Sequence, residues 1–117
     1  MVAKRIKKFK NLYRKDINLL PYFFSKDHFN NKKFNLITSI AMFYDLPDPV
    51  SFVQQIYEII HDQGIWHIEL SYMPLMIKNT SYDTICHEHL EYYSLYSLKY
   101  LFDFSFLIVI LREKIHM

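Results

Sequence analysis

Glycine is almost absent from this chain. Ordinary usage of about 7% would give roughly eight in a chain of this length, and Gly64 stands alone among 117 residues. Nucleotide-binding α/β domains use glycine where the backbone approaches a phosphate or ribose. The composition therefore predicts that the glycine-rich segment of any such domain lies outside these residues. Cysteine is equally scarce: Cys86 alone excludes an internal disulfide and a multi-cysteine zinc site, and fits a reducing, cytoplasmic compartment. Long apolar runs are missing too. The stretch FLIVIL (106–111) has six residues, against about eighteen for a membrane span, so no membrane partner is expected.

What is present is globular. Hydrophobic residues make up 51%, aromatic residues 18% and charged residues 22%, with a net charge of +2. That balance supports a modest core in one domain over 1–117. The basic residues gather at the start, where Lys4, Arg5, Lys7, Lys8, Lys10, Arg14 and Lys15 precede the first acid, Asp16. Val2, Ile6, Phe9 and Tyr13 recur among them at helical spacing, so an amphipathic helix is expected over 1–15. A basic face suits nucleic acid or a membrane surface. The near-neutral total and the lack of basic clusters downstream favour a solvated face instead, with no nucleic-acid partner.

The order of elements points to an α/β fold. INLLPYF (17–23) predicts a short strand ending near Pro21, and SKDHFNNKK (25–33) a loop or short helix capped by Ser25. FNLITSI (34–40) predicts a buried strand. Asp48 and Pro49 then read as N-cap and first helical residue. Phe52, Val53, Ile56, Ile59 and Ile60 form one helical stripe, with Gly64 as a left-handed C-terminal cap. IWHIELS (65–71) predicts the next strand, which makes a parallel crossover unit. A loop-rich stretch follows, then a helix from Ser94 and a final strand at 106–111. The expected architecture is part of a doubly wound, Rossmann-like sheet of about four strands with flanking helices.

Ligands of such sheets bind beyond the carboxyl ends of the strands. There the sequence offers YDTICHEHLEYYSL (82–95), with His87, Glu88 and His89 adjacent. A metal site is disfavoured, because the spacing is not H-E-x-x-H and no third ligand cluster appears elsewhere. As acid–base machinery, Glu88 beside His89 suits proton abstraction, since a carboxylate can set the imidazole tautomer and raise its basicity. Tyr82, Tyr92 and Tyr93 could exclude water and supply hydroxyl donors. A polar loop without chemistry fits the spacing equally well.

The stretch from 34 to 95, and above all DTICHEHLEYYSL, resembles the sugar C-methyltransferase family, S-adenosylmethionine-dependent class I enzymes that act on nucleotide-linked keto-sugars. The similarity runs from about residue 5 to about 110. It implies that a base removes the proton α to the ketone and that the enolate carbon then takes the methyl group. It implies Glu88 and His89 as the acid–base pair, with His87 and Tyr82 beside them in a loop over 82–93. It places Ser39, Ala41, Met42 and Phe23 against the cofactor. Four departures follow from the same comparison. Cys86 and Met42 stand where the family often has tyrosine and histidine, so Tyr44, Tyr82 and His87 become candidates for polarising the ketone. Tyr22 stands where an acid commonly contacts the adenine. The family's zinc module, glycine-rich turn and C-terminal substrate half have no counterpart here. The expectation is thus the second half of a methyltransferase domain, truncated at both ends, with doubtful cofactor binding and activity on its own. The alternative is a non-catalytic α/β module that binds a partner chain.

Overall fold

The computed structural model describes residues 10–83 and 85–103. Its centre is a strand–helix–strand unit: β1 (Phe34–Ile40), α1 (Pro49–Ile59) and β2 (Ile60–Glu69), with β1 and β2 parallel and adjacent. Two further helices follow, α2 (Met73–Lys78) and α3 (Leu95–Asp103). The fold is α/β, as the element order predicted.

The start of α1 follows from its sequence. Asp48 accepts a hydrogen bond from the Ser51 amide at 3.0 Å, and Pro49 sits in the first turn, where its missing N–H leaves nothing unpaired. Phe52, Val53, Ile56 and Ile59 are then buried on one face. Ser94 starts α3 by a reciprocal exchange in which the Ser97 amide donates to the Ser94 hydroxyl at 3.2 Å and the Ser94 amide to the Ser97 hydroxyl at 2.9 Å. This satisfies donors that a helix N-terminus otherwise leaves open.

Phe43, immediately beyond β1, is the hub of the core and fully buried. Its ring lies 6.1 Å from Phe52, 5.8 Å from Trp66, 5.3 Å from Tyr93 and 6.0 Å from Phe102. Helices α1 and α3 and one sheet face therefore meet on a single aromatic cluster. Burial of one such ring stabilises by about 2–3 kcal/mol. On the sheet, Ile37, Ser39, Trp66 and Ile68 turn toward this cluster, while Leu36, Ile40 and Ile65 are exposed on the opposite face.

Several expectations are corrected. Residues 17–23 form no strand; Ile17, Tyr22 and Phe23 are exposed. Pro21 removes a ladder donor, and no described strand edge runs beside the segment. Residues 10–15 form a 3₁₀ turn at Lys10–Leu12 rather than the end of an amphipathic helix, and Arg14 closes on Asp16 at 2.6 Å. The strand at 34–40 is buried on one face only. The described sheet has two strands (fewer than four), and the expected strand at 106–111 and the helix over 1–9 lie outside the described residues.

Gly64 is no helix cap. Helix α1 ends at Ile59, and its C-cap Ile60, with φ −78° and ψ 142°, leads straight into β2, so the strand starts five residues earlier than expected. Gly64 lies inside β2 at the irregularity where pairing jumps from Phe34↔Ile60 to Leu36↔Ile65. A Cβ there would lie 2.8 Å from the Phe34 carbonyl oxygen and 2.9 Å from that of His61. Close backbone approach, not a positive φ, requires the glycine. Among the described residues no helix is long and apolar enough to cross a membrane.

Candidate functional site

The carboxyl end of β1 carries the first unusual feature. Ala41 adopts a left-handed conformation with φ 48°, and its amide donates to the Glu69 carbonyl at the end of β2, 2.9 Å away. A non-glycine residue held there costs of order 1 kcal/mol and persists only where the surroundings enforce it. The Ala41–Glu69 hydrogen bond on one side and the fully buried Phe43 on the other bracket that conformation. Burial of Phe43 fixes the 3₁₀ turn Phe43–Asp45, which places Tyr44 above the strand end.

The loop with the His–Glu–His run folds onto this turn. The Tyr44 carbonyl oxygen accepts hydrogen bonds from two successive amides, Leu90 at 2.9 Å and Glu91 at 3.1 Å. The His89 amide donates to the Cys86 carbonyl at 3.2 Å, closing a tight turn with His87 and Glu88 at its corners. Corner residues point outward, and both side chains are exposed. His87 Nε2 lies 3.2 Å from Glu88 Oε1. His89, after the turn, points back: its ring centroid is 4.2 Å from that of Tyr44, with 51° between the planes, and 6.3 Å from Tyr92. Partial burial pushes the Tyr44 phenol above its ordinary value, and Asp45, Cys86 and Glu69 add to the rise. The phenol is therefore protonated at neutral pH and available as a donor.

Behind the loop lies a cavity of about 260 Å³. Met73, Met76 and Ile77 of α2 line one side, and Tyr82, Ile85 and Tyr92 of the loop line the other. Helix α2 stands in a stretch read from sequence as loop. Its signal was Pro74 in the first turn of a short apolar run. Tyr72 and Tyr93 flank it with an isolated parallel bridge, and the Met73 amide donates to the Tyr93 carbonyl at 3.0 Å.

The sequence-derived residues thus separate into groups. His89 is brought to the strand end, and Glu88 contacts His87 rather than His89. Tyr82 lines the cavity. Ser39 is buried, and its hydroxyl accepts the Trp66 indole N–H at 3.0 Å, so its side chain serves the core. Ala41 is exposed at the strand end, and Met42 packs against the core cluster. Phe23 presents an exposed ring in the preceding segment. The Ala41 amide is engaged by the Glu69 carbonyl and the Ser39 hydroxyl by the Trp66 indole, so for S-adenosylmethionine the exposed strand end at Ala41 and the exposed Phe23 ring are the surfaces that remain. Among the described residues no three His, Cys, Asp or Glu side chains are grouped to hold a metal ion. Sequence reasoning missed the strained Ala41 and the methionine-lined cavity, for which the pattern carried no direct signal.

A family model described as a methyltransferase domain matches residues 6–104. Over 68 residues the chain is 34% identical to the C-methyltransferase NovU of Streptomyces niveus, an alignment covering 58% of this chain and 16% of that protein. The chain therefore spans less than a fifth of that relative's length. No solved structure matches it. The chain belongs to the methyltransferase domain family, whose members in general use S-adenosylmethionine as methyl donor.

Proposed function

We propose that this chain carries the acid–base loop and one cofactor wall of a sugar C-methyltransferase, which methylates the carbon α to the ketone of a nucleotide-linked keto-sugar. The observation that supports this reading most is the placement of His89. A parallel strand–helix–strand unit binds ligands at its strand ends, and the loop's backbone is hydrogen-bonded to the turn at that end. The printed name of the relative, a C-methyltransferase, agrees with methylation at carbon.

In this reading His89 removes the α proton, because its imidazole is the titratable ring held over the strand end. Abstraction leaves negative charge on the ketone oxygen, which needs a donor in place as it develops. The Tyr44 phenol, protonated at neutral pH and with its ring against His89, is the donor placed for that oxygen, and His87, paired with Glu88 on the outer corner of the turn, is the other candidate. Glu88, whose carboxylate lies against His87 rather than His89, is kept as the other member of the acid–base pair because the family resemblance implies it. Phe23, Ala41 and Met42 would line one side of S-adenosylmethionine, which supplies an electrophilic methyl group when bound. The described wall is one-sided and the sequence holds no G-x-G turn, so affinity in the chain alone is expected to be weak.

The test is a graft of residues 34–95 into an intact relative in place of the equivalent segment. His89→Ala and Glu88→Gln should each lower methyl transfer by about 10²–10⁴-fold, the usual contribution of a positioned acid–base group. Cofactor affinity should stay the same. A graft whose turnover survives His89→Ala would remove His89 from the chemistry.

A further inference from the structure

A base on a loop faces a physical difficulty. Proton abstraction needs the imidazole nitrogen within hydrogen-bond reach of the substrate carbon's proton, and productive sites hold such groups to within about 0.5 Å and 10–20°. Loop residues achieve this only when something outside the loop fixes them. The adjacent carboxylate does not do so here, because Glu88 lies against His87.

We propose that Tyr44 is a positioning residue that fixes His89 over the carboxyl end of β1, through its carbonyl and its ring together. This rests on the assignment of His89 as the base. The carbonyl uses both lone pairs on the Leu90 and Glu91 amides, which pins the backbone one and two residues beyond His89. The ring lies against the imidazole at 4.2 Å. The planes are tilted by 51°, so the contact is a close tilted one that restricts the imidazole without a hydrogen bond to its nitrogens. The phenol is free to act as donor, but positioning does not depend on it.

The location of Tyr44 gives the arrangement its purpose. Its neighbour Phe43 is fully buried at the hub of the core, and Ala41, two residues before Phe43, forms the strained strand end. One short turn therefore carries the strained strand end on its entering side and the clamp for the base on its leaving side. Any shift of Phe43 would move both together.

The experiment is nuclear magnetic resonance of the full chain without substrate. In the native chain, cross-relaxation between Tyr44 ring protons and His89 imidazole protons is expected, with the imidazole signals shifted upfield by the ring. Tyr44→Phe should keep that shift. Tyr44→Leu should lose it while the Leu90 and Glu91 amides stay protected from exchange and the Trp66 indole signal stays in place. If Tyr44→Leu fails to fold, the native cross-relaxation and the Tyr44→Phe shift decide the matter. Absence of the native contact, or an unchanged imidazole shift in folded Tyr44→Leu, would overturn the proposal. These signals are read without catalysis, so a silent graft would leave them standing, and their loss would leave the methyl-transfer reading standing.

Discussion

Substitution of Gly64 separates two physical reasons for a glycine. A Cβ at this position would meet Ile60 Cγ1 at 2.7 Å, the Phe34 carbonyl oxygen at 2.8 Å and the His61 carbonyl oxygen at 2.9 Å. The isoleucine can rotate, but the two oxygens belong to backbone, and the Phe34 oxygen belongs to the partner strand. Gly64→Ala must therefore push β1 from β2 at the irregular register, at the usual overpacking cost of about 1–3 kcal/mol. Loss of unfolded-state freedom returns about 0.4–1 kcal/mol, because the native φ is not positive. The net loss is about 1–2 kcal/mol, which shifts a urea midpoint by roughly 0.5–1 M. The discriminating variant is Gly64→Asn. At a left-handed cap asparagine is tolerated better than alanine; inside the strand it meets the same oxygens with a larger side chain. The expected order of stability is glycine, alanine, asparagine. Asparagine more stable than alanine would refute the close-approach argument.

Ser39→Ala should lower stability by about 1–2 kcal/mol, since it leaves the Trp66 indole N–H without its acceptor; an unchanged urea midpoint would show that the bond contributes nothing. Tyr93 has its phenol pushed up to about 12 by burial, with Glu91 adding to the rise, and its hydroxyl has no hydrogen-bond partner among the described residues. The unfolded chain then loses this proton more easily than the folded one, so the contribution is intact below pH ~10 and is lost as pH rises from ~10 to ~12. Tyr93→Phe should flatten that alkaline fall and raise stability at pH 7 by about 1 kcal/mol, since it removes a buried hydroxyl without a partner, as midpoints across the range would show. Equilibrium dialysis of the chain against labelled S-adenosylmethionine should give a dissociation constant well above the low micromolar range. Tighter binding would mean that a one-sided wall suffices.

The strand–helix–strand unit was legible because each part carried a local signal. Asp48 and Pro49 marked the helix start, and the apolar stripe from Phe52 marked its buried face. Gly64 misled because a glycine after a helical stripe ordinarily caps it, and only the tertiary approach of Phe34 shows otherwise. The run 17–23 looked like a strand by composition, yet a strand needs a partner edge, and sequence does not place one. Within the candidate site, residue types were legible and partnerships were not. Glu88 adjoins both histidines in sequence. The Cys86–His89 turn decides that it meets His87, and Tyr44, forty-five residues upstream of His89, takes the other imidazole.

The proposed function stands or falls on proton abstraction by this loop. Solvent deuterium exchange at the carbon α to the ketone, measured on the graft with a demethylated cofactor analogue, isolates that step from methyl transfer. Exchange is expected in the graft, with its loss, by about 10²-fold or more, in His89→Ala. Undiminished exchange in His89→Ala would mean that another residue is the base and that the loop only covers the site.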